Sequence, residues 1–269
     1  SGIYGDELGG QYICGEIIRR IKAEFENLTG IVDVYPAVNP IGLDARTRAV
    51  PISDIDYSSA FPGDINGGLE DYTAAKLIED IKGASCCIDI HSSNIFLQEV
   101  PQVRLNNDYD ETLLHLSKYM NTDLVWIHPS QTVNFTLNQM GIPTMVTESG
   151  AAFRIRYEYC RQIIDGIFSV MAELGIWKGK VQGKTKVPYI HEDQIFYLNC
   201  ESSGLFVSYK RLKDPVKKGE IIGIVQNPLM GATEEEVVAP TDGILMTLRE
   251  HPSVTEGSLV ARVIGGNAL

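Results

Sequence analysis

Apolar residues recur along the first two thirds of the chain with a helical period broken by short apolar runs. From Leu8 to Phe25 a stripe of Ile13, Ile17, Ile18, Ile21 and Phe25 predicts an amphipathic helix. Ile31 to Tyr35 reads as a short strand stopped by Pro36. Asp71 to Ile81 regains the helical period through Ala74, Ala75, Leu77, Ile78 and Ile81. Ser85 to Ile90 is nearly all apolar, the pattern of a strand buried on both faces. A helix over Glu111 to Met120, strands over Leu124–Ile127 and Thr144–Thr147, and a long helix from Glu158 to Leu174 before Gly175 complete this part. Strands alternating with helices predict an α/β domain, a mixed sheet with helices on both faces.

The period changes after the polar, Gly-containing stretch from Gly179 to Lys184. Short β-type runs follow at 204–207, 221–225, 237–238, 244–246 and 259–264. Two of their turns echo each other, Val216-Lys217-Lys218-Gly219 and Val254-Thr255-Glu256-Gly257, each a turn Gly before an apolar run. The pattern divides the chain into an α/β domain, 1–183, and a β-rich domain, 184–269, expected to form a small all-β barrel or sandwich. That tail lacks the Met-Lys pair of a biotinyl or lipoyl arm, so it reads as structural. Ser1-Gly2-Ile3 reads as the end of a strand whose beginning precedes this sequence.

Composition narrows the partners. The 269 residues carry 23 Lys and Arg against 35 Asp and Glu, a net charge of −12 that would be repelled by nucleic acid and by anionic membrane. The five cysteines show no paired metal-ligand spacing and suit free thiols of a cytoplasmic protein. A small-molecule substrate is the expected partner. A homo-oligomer formed through the β tail is a further expectation.

Three motifs carry chemistry. Gly2-Ile3-Tyr4-Gly5-Asp6-Glu7 places a carboxylate in a tight turn before a helix. Asp89-Ile90-His91 brings a histidine out at the end of the most buried strand, with Asp89 set to orient it. Thr147-Glu148-Ser149-Gly150 ends another apolar strand in a carboxylate. Two carboxylates and a histidine at separate strand ends suit a metal-activated water. Between them, residues 38–63 form a long aperiodic loop with Arg46, Arg48, Ser58 and Ser59, a length that in compact domains is usually functional.

These residues together resemble the succinylglutamate desuccinylase/aspartoacylase family, with its zinc-carboxypeptidase-like fold. The resemblance rests on G-x-x-G-D-E-x-x-G, V-N-P-x-G, the F-P-G loop, D-I-H, T-E-S-G and the V-K-K-G and A-P-x-D-G turns of the tail. It implies a metal-dependent hydrolase of a small acyl-amino acid, with Glu7 and His91 as zinc ligands and Glu148 as general base. It also implies substrate contacts from Arg48, Ser58, Ser59 and Asn94. Two positions depart from the family. Tyr4 stands where the first histidine ligand is expected, leaving two of three protein ligands for zinc. Ser58 and Ser59 replace the Asn-Arg pair that holds a substrate carboxylate, and serine lacks the bidentate fork of arginine. Replacement would have to come from Arg46, Arg48, Arg154 or Arg156 for the carboxylate, and from His115, His128, His191 or His251, best His128 after its strand, for the metal. The alternative implied by the same departures is a non-catalytic descendant that binds a small ligand in the former cleft.

Overall fold

A computed structural model describes residues 1–51, 53–128 and 133–266. The α/β part contains α1 (Leu8–Ala23), α2 (Pro40–Ala45), α3 (Leu69–Ile81), β1 (Cys87–His91), β2 (Leu97–Leu105), α4 (Glu111–Ser117), β3 (Leu124–Ile127), α5 (Val133–Gln139), β4 (Thr144–Gly150) and α6 (Tyr157–Glu173). The tail contains β5 (Tyr189–His191), β6 (Ile195–Asn199), β7 (Gly204–Ser208), β8 (Pro215–Val216), β9 (Ile221–Gln226), β10 (Thr233–Val238), β11 (Gly243–Arg249), β12 (Ser253–Val254) and β13 (Leu259–Gly265). Among the described residues no helix is long and apolar enough to cross a membrane.

The expected mixed sheet with helices on both faces is present. Along its main path the strands run β1-β4-β2-β11-β13-β6, with β3 alongside the second half of β2 and β5 alongside β3. On one face α1, α4 and α6 bury Ile13, Ile17, Leu113, Leu116, Ile163 and Phe168 against Val103, Val125 and Met145 of the sheet. Each such side chain contributes on the order of 1.5–3 kcal/mol. On the other face Ala74 and Ile78 of α3 and Leu137 of α5 pack with Ile3, Tyr4, Tyr57 and Phe61. Helix α6 presses against the chain at Met120 so closely that a Cβ on Gly166 would lie 1.9 Å from the Met120 carbonyl oxygen.

Strand β2 is the seam of the molecule. Gln102–Arg104 pair antiparallel with Glu148–Val146 of β4, while on the other side Gln102–Leu105 pair parallel with β3. The first residues of β2, Leu97–Glu99, instead pair antiparallel with Arg249–Thr247 of β11. The sheet therefore runs on into the tail without a break. Pro101 sits where the β2–β4 register slips, between Glu99 and Gln102, which is how an interior strand tolerates a residue without an N–H.

Of the two forms expected for the tail, it takes the sandwich and does not close into a barrel. A separate four-stranded sheet, β10-β9-β7-β12, faces β11 and β13 across a core of Phe206, Ile222, Val225, Leu245 and Val263. Two expectations are corrected. Residues 31–35 form no strand, and Ile31 is 84% exposed: the segment offers its Tyr35 carbonyl to the Ser1 amino group and joins no ladder. The first helix ends at Ala23, and Phe25 lies in a short 3-10 turn, exposed rather than in the apolar stripe.

Candidate active site

Strands β1 and β4 lie side by side and parallel, with His91 in register with Glu148. Neighbouring strands are about 4.8 Å apart, so the two side chains leave the same sheet face as near neighbours. The third motif arrives from the turn before α1. Gly5 is needed there because a Cβ would fall 2.0 Å from the Gly42 carbonyl carbon, and this contact seats the turn against α2. Glu7 is the N-cap residue of α1, yet its carboxylate makes no cap bond. It turns instead toward β1 and accepts from the Ser92 amide at 3.0 Å.

His91 is held from both sides. Its Nδ1 is 2.9 Å from Glu7 Oε2 and its Nε2 is 2.9 Å from Asp89 Oδ2. Burial pushes the imidazole toward the neutral form, but the Asp89 and Glu7 carboxylates outweigh it and hold the imidazolium well above the ordinary value. Asp89 is held below the usual carboxylate range: burial raises it, and the charged His91 lowers it further.

Arg48 completes this cluster. Its Nη1 donates to Glu7 Oε1 at 3.2 Å, and its guanidinium carbon lies 3.4 Å from the centre of the Tyr4 ring. Tyr4 is buried, 8% exposed, and its ring is 5.5 Å from that of His91. Burial pushes its phenol up, against the opposing effects of the Ser58 hydrogen bond and the Arg48 charge. Asp6, also buried, is pushed up by its own burial and then by the neighbouring Glu7.

Glu148 belongs to a second line of charges. Its Oε2 is 2.5 Å from Arg104 Nη1. Arg104 also donates to Glu99 at 3.0 Å, and Glu99 in turn accepts from Arg262 of β13 at 2.8 Å and from the Gln102 amide. Both guanidiniums face the Trp126 ring, at 4.9 and 5.5 Å from its centroid. Burial raises the Glu148 carboxyl to about 7; Arg104 opposes the rise, and Glu99 and Glu7 add to it.

The structure thus gathers Tyr4, Glu7, Arg48, Ser58, His91 and Glu148 at one edge. Ser59 and Asn94 are spent on local turns. Ser59 Oγ donates to the Asp56 carbonyl, and Asn94 Oδ1 accepts from the Phe96 and Leu97 amides. Ser58 Oγ donates to Asp56 Oδ1 at 2.7 Å as well as meeting Tyr4. Arg156 pairs with Glu250 and Arg154 donates to the Phe153 carbonyl. His128 stacks on Trp126, its ring centroid 4.5 Å away. The residues after it, 129–132, lie outside the described ones. Arg104, Glu99 and Arg262 were not singled out by sequence. Their one signal was charge inside otherwise apolar strand runs.

The resemblance implies zinc, which in a catalytic site takes three protein ligands and one open position. Here Glu7 and His91 are two, with Asp89 behind the histidine as an orienting carboxylate. The third place holds a phenol that burial keeps protonated, capped by a guanidinium. Among the described residues no three or more His, Cys, Asp and Glu are grouped to hold a metal. The donor set does not fit a three-ligand zinc site.

Residues 1–174 match the model of the succinylglutamate desuccinylase/aspartoacylase catalytic domain. Over 97% of its length the chain is 24% identical to the N-alpha-acetyl-L-2,4-diaminobutyric acid deacetylase of Halomonas elongata, covering 79% of that protein. Its backbone is similar to a succinylglutamate desuccinylase/aspartoacylase of Rhodobacter sphaeroides, with a TM-score of 0.85 at 24% identity, covering 98% of this chain and 83% of that one. The product-bound ectoine utilization protein EutE of Ruegeria pomeroyi is similar to it with a TM-score of 0.83 at 22% identity, again over 98% and 83%.

Proposed function

The chain belongs to the succinylglutamate desuccinylase/aspartoacylase family, and on that premise we propose that its cleft takes a small N-acylated amino acid and hydrolyses the acyl amide. The observation that carries this reading is Glu148. It is a largely buried carboxyl, its side chain 13% exposed, raised to about 7 near the end of β4 and in register with His91. A base is most useful when its pKa lies near the working pH.

The chain's own groups assign the steps. Glu148 takes a proton from water as the oxygen attacks the acyl carbonyl carbon. Arg48, half exposed above Tyr4, donates to the carbonyl oxygen as negative charge develops there. When the C–N bond breaks, Glu148 returns the proton to the leaving amine, giving a free carboxylic acid and a free amine. No step is routed through a metal, because the donors present do not fit one. With Ser58 and Ser59 bound into their own loop, the site offers no arginine fork there, which favours a substrate of modest negative charge.

Amine release from a panel of N-acetyl and N-succinyl amino acids tests the reading. Turnover of at least one member, falling about 100-fold or more in Glu148→Gln, is the expected result. Equal turnover by the folded variant would remove Glu148 from the chemistry. A second reading, ligand binding without turnover, is favoured by Tyr4 and the fully engaged Glu7. It predicts no amine release from any member and binding that Glu148→Gln leaves intact.

A further inference from the structure

The departure from a metal centre goes beyond one missing histidine, because the position is filled. Three donors converge on Glu7: Arg48 Nη1 at Oε1, and the Ser92 amide and His91 Nδ1 at Oε2. A metal ion bound at Glu7 would compete with all three for the same two oxygens. It would also stand beside a guanidinium, a like charge.

Tyr4 holds that guanidinium in place. The Arg48 carbon lies 3.4 Å from the Tyr4 ring centre, close enough for a full cation–π contact, on a ring that is itself buried. Ser58 hydrogen-bonds the phenol, and Asp56 anchors Ser58 through both its amide and its hydroxyl. A histidine at position 4 would offer Arg48 a smaller ring and would present a lone pair to a metal. The tyrosine does the reverse on both counts. Nor does another histidine supply the lost donor: His115 pairs with Glu173, His251 packs on Phe96, His128 stacks on Trp126, and His191 is exposed on β5, separated from β1 by β4, β2 and β3.

We propose that Tyr4 and Arg48 together make this a metal-excluding site, in which the guanidinium supplies the positive charge that a divalent ion would supply. The two residues act as a pair. Tyr4 removes a ligand and provides the seat; Arg48 occupies the seat and neutralises Glu7. The inference holds whether or not the cleft turns over a substrate.

Metal content tests it without reference to activity. The full chain is incubated with excess zinc, desalted and assayed for bound zinc by elemental analysis. Tyr4→His, Arg48→Ala and the double variant are treated alike, and Glu7→Gln is added to each background to count zinc held at this site. The wild type should keep less than about a tenth of an equivalent and the double variant about one, with an affinity raised about 100-fold or more. Each single variant should fall between them. Two results would overturn the proposal: wild-type protein holding about one equivalent that Glu7→Gln removes, or a folded double variant taking up no more than the wild type. The wild-type arm decides alone should a variant fail to fold. Absence of turnover in the deacylase assay leaves this result untouched, and zinc in the wild type leaves that assay untouched.

Discussion

Substituting Glu148 by Gln should stabilise the protein at alkaline pH and leave its stability almost unchanged at acidic pH. Glutamine is the neutral isostere of the protonated acid, so the variant holds the site permanently in one of the two states of Glu148. Burial raises this carboxyl from its ordinary value near 4.5 to about 7. The folded state therefore binds the proton more tightly than the unfolded state by roughly 3 kcal/mol, at about 1.4 kcal/mol per tenfold change in affinity. A group whose folded value is raised contributes stability that is complete below the unfolded value. That contribution declines as the pH rises through the interval and is gone above about 7. Near pH 5 most of it is present in the wild type and the two proteins should differ by less than about 1 kcal/mol. Near pH 8.5 the wild type carries a buried carboxylate, and the variant should exceed it by up to about 3 kcal/mol. Equilibrium urea unfolding of both proteins at both values reads this as a difference of differences, in which Asp6, Asp89 and His91 largely cancel. Equal stability gaps at the two pH values, with unchanged m-values, would refute the burial argument. A variant that becomes relatively weaker at high pH would show that the 2.5 Å pair with Arg104 outweighs burial.

Three other expectations follow from packing and charge. Gly166→Ala places a Cβ 1.9 Å from the Met120 carbonyl oxygen and should cost at least about 2 kcal/mol, seen as a lower midpoint in thermal unfolding. Arg262→Met withdraws one of the two arginines from buried Glu99 and should cost about 2 kcal/mol in urea. The same change should cost much less when Glu99 is already Gln, and equal costs in both backgrounds would deny the pairing. Burial pushes the Cys86 thiol up to about 12 and Cys160 to about 11, so in the native protein both should react with a chromogenic disulfide at least about 100-fold slower than in the unfolded chain. Prompt native labelling of all five cysteines would contradict that burial.

Much of the α/β framework was legible because its strands are short apolar runs and its long helices are strongly periodic. The apolar run Leu124–Ile127 coincides with β3, and the helical period from Glu158 to Leu174 matches α6 to within a residue at each end. The approach of His91 and Glu148 could be anticipated from two strand ends, but their register required the parallel pairing of β1 with β4. Strand β2 has no clear signal in the sequence because Glu99, Pro101, Gln102 and Arg104 break its apolar pattern. Those polar side chains are buried by partners that no local window contains. Arg262 reaches Glu99 from 163 positions further on. The predicted strand at 31–35 failed for the complementary reason: β propensity alone does not make a strand without a neighbour to bond. The position of Arg48 over Tyr4 was equally hidden, since a loop without periodicity gives no direction to its side chains.

The continuous sheet has a consequence for the order in which the molecule is built. Strand β2 is made early and stays incomplete until β11, some 150 residues later, pairs Thr247 with Glu99. Glu99 likewise waits for Arg262, near the end of the described chain. During synthesis the first half therefore carries an open strand edge and a carboxylate that still lacks one of its two arginines. Such long-range closure slows folding and leaves the unpaired edge open to other chains. The seam that positions Glu148 is thus among the last parts of the sheet to be finished, and a molecule cut anywhere between β4 and β11 would never finish it.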